Sequence, residues 1–312
     1  IVEVQCQREY EGKAAHPNYI AKGVIDGLEE LKQPGLPVLN SLNSFKTNPL
    51  FAGTWTWSRG GGWGGPYITN EFWAELNAFV IAKWTQDPSR TEEDIFTEFA
   101  RQKGLPDNQI AIFHHLCLLS DQGVMGGQYS NMGSFDVGWT RDDNFNGIGN
   151  ERGYIDGWID RNQTEAYIKE KAESLAIWLQ IEALSKKLHF SDPALTHFVQ
   201  VSCTYGRYKY QLFNAAWDIM IRGRIGDKGG AISEVQMEKD IASYDSTLNE
   251  WRNFVAANAD APTMYSTLNF RITINKYRDY NYTDGLVKFT AKNNDARIHL
   301  AWETAKKYHD HF

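Results

Sequence analysis

The chain has 312 residues, 42% of them apolar and 23% charged, with a formal net charge of −7. Such a length can bury one large core or two, and the composition is that of an ordinary globular protein. The acidic balance and the lack of any Lys/Arg stripe exclude a nucleic-acid partner, and no apolar run is long enough to span a membrane.

The first predicted element is a strand. Val2, Val4 and Cys6 alternate with Glu3, Gln5 and Gln7, a period of two with one apolar and one polar face. Glu9 falls on the polar face, and Gly12 ends the run. A helix is expected over Tyr19–Lys32, followed by a turn at Gln33-Pro34-Gly35. Leu50–Trp57 reads as a second, buried strand, and the loop Ser58–Pro66 after it holds five glycines and Trp63.

From Asn70, a plausible N-cap, the period becomes helical, with Phe72, Leu76, Phe79, Val80 and Lys83 on one stripe. Ser89-Arg90-Thr91-Glu92 has the form of a capping box, with Ile95, Phe96 and Phe99 as the apolar face behind it. Gly104-Leu105-Pro106 stops that helix, and another is expected over Gln109–Leu119. Residues 120–160 are rich in Gly, Asn and Asp and read as a long functional loop. Helices then resume. Asn162, with Glu165 three residues on, is expected to cap a helix whose stripe is Ile168, Ala172, Leu175, Leu179 and Ile181. Asp192-Pro193 supplies N-cap and N1 chemistry for a helix running to Ile225. The turn Gly226–Gly230 leads into a helix over Ile232–Ala257, and Pro262 opens a last polar-aromatic helical tail.

Two strands cannot cover their own faces, and parallel strands joined by a crossover helix belong in a sheet with neighbours on both sides. Residues 1–70 therefore read as part of a barrel. No signal peptide and no initiator Met stand at Ile1, so a processed product or a fragment is expected. Cys6, Cys117 and Cys203 are widely spaced in apolar surroundings, which suits buried thiols rather than a disulfide framework or zinc site and favours a reducing compartment.

The segment Gln7, Glu9-Tyr10, Gly12, His16 and Tyr19 resembles the Gln-x-Glu-Tyr-x-Gly-x-x-x-His-x-x-Tyr run of glycoside hydrolase family 67, the α-glucuronidases. Phe72-Trp73-Ala74-Glu75-Leu76-Asn77-Ala78, with Trp84, Pro88 and the Glu92–Phe99 helix, is similar to the run after that family's last barrel strand. Trp139-Thr140-Arg141-Asp142-Asp143 and Gly147-Ile148-Gly149 are similar to a loop over its active-site cleft. The resemblance covers roughly residues 1–150. It implies a mainly α chain: the last strands and helices of a (β/α)₈ barrel over 1–120, then an α-helical C-terminal domain over 121–312 with a cleft loop at 121–160. It also implies removal of 4-O-methylglucuronic acid from xylan or a related plant glycan, with inversion.

On that template Glu9 is the candidate general base, while the family's general acid lies upstream of Ile1. This chain alone is therefore expected to be inactive. Inverting hydrolysis needs two carboxyl groups about 6.5–9.5 Å apart, one protonated and one ionised. Arg8 and Lys13 beside Glu9 favour the ionised form, as a base requires. Without the resemblance, Glu9 reads rather as a strand-end surface or salt-bridged residue. Arg8 and Arg59 are candidate forks for a uronate carboxylate, or else exposed or core-bridging arginines. Trp57, Trp63 and, less favourably placed, Trp55 are candidate stacking platforms or core residues. His16 is either a ligand of a sugar hydroxyl or a satisfied structural histidine. Tyr10, Trp139 and Arg141 enter the expected substrate site through the resemblance.

Other patterns carry less. Asp142–Gly147 echoes half a calcium loop, but its twelfth position is Gly153 rather than Glu. His114 and His115 are adjacent on an expected helix and point to different sides, which argues against a metal pair. No metal or cofactor is expected. The expected partners are an oligosaccharide or polysaccharide substrate, a second copy bound through the helical domain, and the N-terminal part of the same protein. A bacterial cytoplasm or periplasm is the expected setting. The alternative reading is a non-catalytic carbohydrate-binding or dimerisation fragment of such an enzyme.

Overall fold

Val2–Gln5 (β1) and Phe51–Trp55 (β2) pair as parallel strands, with Glu3 opposite Gly53, Val4 opposite Thr54 and Gln5 opposite Trp55. The register shifts by one residue between Val2, which stands opposite Phe51, and Glu3. This computed structural model describes residues 2–5, 16–27, 41–55, 72–128, 155–231 and 233–258. The helices are α1 (Ala21–Asp26), α2 (Leu42–Phe45), α3 (Phe72–Gln86), α4 (Glu92–Gln102), α5 (Asp107–Gln128), α6 (155–160), α7 (Thr164–Ser185), α8 (Pro193–Asp227) and α9 (Glu234–Ala257). The described chain is thus mainly α. The turn at Gln33-Pro34-Gly35, the loop Ser58–Pro66, the Asn70 cap and the tail after Pro262 lie outside the described residues.

Helix α4 is capped two residues later than the sequence predicts. Asp87 Oδ1 accepts the Ser89 backbone N–H at 3.1 Å and its hydroxyl at 2.6 Å, which ties Ser89 into a local turn. The cap is Thr91, whose Oγ1 accepts from the Asp94 N–H at 3.1 Å and donates to Asp94 Oδ2 at 2.6 Å. Glu92 is thereby the first helical residue, and it is buried. At the other end Gly104 has φ +77, and the Gly104 and Leu105 amides bond back to the Arg101 and Ala100 carbonyls. That is a glycine C-cap with buried Leu105 behind it.

Helix α5 overrides the loop expected from residue 120, since it continues to Gln128. Two of its glycines, Gly123 and Gly127, are helical notches. A Cβ on Gly123 would lie 2.7 Å from Trp178 Nε1, and one on Gly127 would lie 2.3 Å from Tyr210 Cδ1. Close packing, not chain reversal, selects glycine there. Helix α7 also departs from expectation. Asn162 sits at φ +55 in the preceding turn, and Gln163 O accepts the first helical amides. The buried face of α7 is Tyr167, Lys171, Ser174, Trp178, Ile181 and Ser185, while Leu179 is half exposed. The predicted apolar stripe is displaced because polar residues occupy the inner face. Helix α8 starts as predicted: Asp192 Oδ1 accepts from the Ala194 N–H at 2.8 Å and Pro193 takes the first position.

The chain divides into two compact units, one of Ile1–Val124 with Ile177–Gly206 and the other of Met125–Ala176 with Arg207–Phe312. In the first, α3 packs against β2, α1 and α4. Phe72, Phe96, Phe99, Phe113 and Phe190 form its aromatic core, with ring spacings of 5.1–6.2 Å. In the second, Trp158 stacks on Tyr167 at 3.7 Å and meets Trp217 at 5.7 Å.

Candidate functional site

Parallel strands discharge their chains at the same end, and in α/β folds chemistry gathers there. Glu9 and Tyr10 follow β1, and Trp57 and Arg59 follow β2. These four, with Arg8, Trp63, Trp139 and Arg141, lie outside the described residues. Of the predicted site, His16 is the residue whose surroundings are described.

His16 is 1% exposed, and its ring Nδ1 donates to the Pro17 carbonyl at 2.9 Å. Its edge meets Trp178 at 5.1 Å and an interplanar angle of 80°, and Tyr205 lies 6.0 Å away. This is the environment of a packed core histidine. The chain after it is held by side chains from three helices. Asn77 Oδ1, on α3, accepts the Ile20 and Ala21 amides at 3.0 and 3.1 Å, and its Nδ2 donates to Asn18 O at 2.9 Å. Ser120, on α5, accepts the Tyr19 amide at 3.0 Å and donates to Cys117 O at 2.6 Å. With no polar side chain at its own N-cap, Ile20, helix α1 takes its cap from Asn77 across a tertiary contact.

The centre of this anchor is Glu92. The Tyr19 hydroxyl donates to Glu92 Oε1. His114 Nε2 lies 3.0 Å from Oε1 and 3.2 Å from Oε2 and donates to the carboxylate. The Glu92 side chain is 2% exposed and that of His114 is 14% exposed. Glu92 also begins α4, where the helix dipole favours an anion. Burial and the Glu92 charge hold the Tyr19 hydroxyl well above the usual tyrosine range, so it remains a donor. Ser120 is committed to backbone groups, so the His114–Glu92 pair activates no nucleophile there. Chemically the arrangement is a clamp on residues 16–21 that keeps one buried charge fully bonded.

The second unit has its own charged elements. Lys171 Nζ donates to Gly126 O, two residues before the end of α5, at 2.8 Å and pairs with Glu170 Oε2 at 3.2 Å. Burial pulls its ammonium below the usual lysine range, with Glu170 opposing the shift. Arg224 grips Asp156 through Nε and Nη2, the latter at 3.0 Å from Oδ2. Arg222 Nε donates to Asp240 Oδ2 at 3.0 Å, and Gln236 Nε2 donates to Oδ1 at 2.8 Å. Among the described residues no group of three or more His, Cys, Asp and Glu side chains is placed to hold a metal ion. Among them, too, no helix is long and apolar enough to cross a membrane.

No family model, curated protein or solved structure matches this chain. The function therefore rests on the residues themselves. Sequence reasoning placed Glu92 in a capping box and both Glu92 and Asn77 in a run similar to the family's, but gave neither a part in holding residues 16–21. The signals that could have found them are Tyr19, in the first run that resembles the family, and Asn77 and Glu92 themselves, in the second.

Proposed function

We propose that the protein is a glycoside hydrolase of the α-glucuronidase type, acting with inversion on uronic-acid side chains of xylan or a related plant glycan. Glu9 is its general base. The observation that carries this reading is the parallel pairing of β1 with β2, in one register from Glu3 opposite Gly53 to Gln5 opposite Trp55. In a (β/α)₈ arrangement, the residues following two adjacent strands line the same catalytic end. Glu9 follows Gln5 by four residues, and Arg59 follows Trp55 by four. A carboxylate and a guanidinium at matching distances past paired strands suit a base and a uronate-binding fork. Arg8, Tyr10, Trp57, Trp63, Trp139 and Arg141 are the further substrate-binding residues of this reading, and the helical half joins two copies.

The test is hydrolysis of aldouronic acids by the full-length protein. Glu9→Ala should lower kcat by about 10²–10⁴-fold while KM stays within a few-fold. The first-formed uronic acid should be the β anomer, read by NMR before mutarotation. An unchanged kcat removes Glu9 from the mechanism. Glycan binding without any release by the full-length protein replaces the enzyme with a binding module.

A further inference from the structure

Helices α8 and α9 pair antiparallel within the second unit, and two contacts set their register. Arg222 meets Asp240, and Tyr208 meets Phe254 with rings 5.2 Å apart. Each pair of residue numbers has the same sum, so residue 215 of α8 stands opposite Thr247 of α9. Asn214, Asp218 and Arg222 follow one another at intervals of four along one face of α8. Thr247 therefore lies within a turn of both Asn214 and Asp218.

Asn214 Nδ2, Asp218 Oδ1 and Thr247 Oγ1 are enclosed and have no hydrogen-bond partner among the described residues. Thr247 is 1% exposed. An orphaned buried polar atom costs about 1–3 kcal/mol, so three within one turn call for a shared partner. Their chemistry matches one water. Asn214 offers an N–H to a water oxygen, and Thr247 Oγ1 and Asp218 Oδ1 are acceptors for the two water hydrogens.

The charges around Asp218 point the same way. Asp240 lies on α9, Glu165 lies on α7, and among the described residues the cation acting on Asp218 is Arg222. Arg222 already donates to Asp240, whose other oxygen is taken by Gln236. A second carboxylate beside this pair has no cation of its own among the described residues. We propose that the α8–α9 seam is a buried hydration site that holds a proton: one water bridges Asn214, Thr247 and a neutral Asp218, and loss of that proton to solvent loosens the hairpin.

Burial, then the Asp240 charge, raises the Asp218 carboxyl to about 7, with Arg222 opposing. Its unfolded value is the ordinary 3.8. Between these two values the folded chain holds a proton that the unfolded chain has lost, so stability falls as pH rises through that window.

The test is carried out on the full chain. Carbon-13 NMR of the Asp218 carboxyl should show a midpoint near neutrality. Hydrogen-exchange protection of α9 amides should drop about tenfold between about pH 6 and pH 8. In Asp218→Asn, which mimics the neutral acid, protection should be equal at both pH values. A water cross-peak to the Asn214 side-chain amide should be present. The proposal is overturned by an Asp218 midpoint near the ordinary carboxylate value of about 4, by a dry Asn214 amide, or by an Asn variant that keeps the wild-type pH dependence. Should that variant fail to fold, the wild-type titration and the cross-peak decide alone.

Discussion

Glu92 shows how much a single side chain's meaning depends on its neighbours. In isolation it is one of three consecutive acidic residues after Thr91, a helix-start signature. In the fold, Thr91 caps the helix with Asp94 as its partner, and Glu92 turns inward to accept from Tyr19 and His114. A buried carboxylate is tolerable only while its oxygens stay bonded. Tyr19→Phe removes one donor and keeps the ring against Phe96, so the packing term is nearly unchanged. Urea unfolding should show a loss of about 1–3 kcal/mol with an unchanged m-value. A loss below about 0.5 kcal/mol would mean that Glu92 had found another donor. None of the three partners signals the others, because 73 residues separate Tyr19 from Glu92 and 22 separate Glu92 from His114.

Helices were legible where their signals are local. The start of α8 at Asp192-Pro193 and the stop of α4 at Gly104 follow from capping chemistry within one turn. Helix α5 was cut short because Gly123, Gly126 and Gly127 are the same residues that punctuate loops. Their role depends on Trp178, Ser174 and Tyr210 lying against them. Helix α7 was misphased because Lys171 and Ser174 occupy its inner face, where a hydrophobic count expects apolar residues. Gly206 makes the same point on α8. A Cβ there would lie 2.2 Å from Trp178 Cζ3, against a fully buried indole with nowhere to move. Gly206→Ala gains up to about 1 kcal/mol of helix propensity but overpacks the core by about 1–3 kcal/mol or more. A lowered Tm is expected, whereas a raised Tm would show that the Trp178 ring can shift.

The chain as a whole is aromatic-rich, and the described tryptophans explain where much of that content goes. Trp73, Trp84, Trp158, Trp178, Trp217 and Trp251 are each at most 2% exposed. Cys117 and Cys203 are likewise buried and free. Burial raises both thiols, so neither forms a thiolate near neutral pH. In a Cys6→Ser background, the native protein should therefore react with a thiol reagent only at the rate at which it opens, and both thiols should react at once in denaturant. Fast reaction of either cysteine under native conditions would contradict this burial. Each compact unit is assembled from two separate stretches of chain, which no linear reading of composition shifts can show.

By itself the sequence determined the helical character, the paired β1 and β2 segments, the cap at Asp192 and the stop at Gly104, because propensity, periodicity and capping act between residues a few positions apart. Only tertiary structure decided that Glu92 is a clamp rather than a cap, that Gly123 and Gly127 are notches, and that Asp218 lies near the Asp240 charge with its Oδ1 enclosed. Desolvation and hydrogen-bond satisfaction are set by whatever side chains the fold brings alongside, and the chain's order does not carry that information.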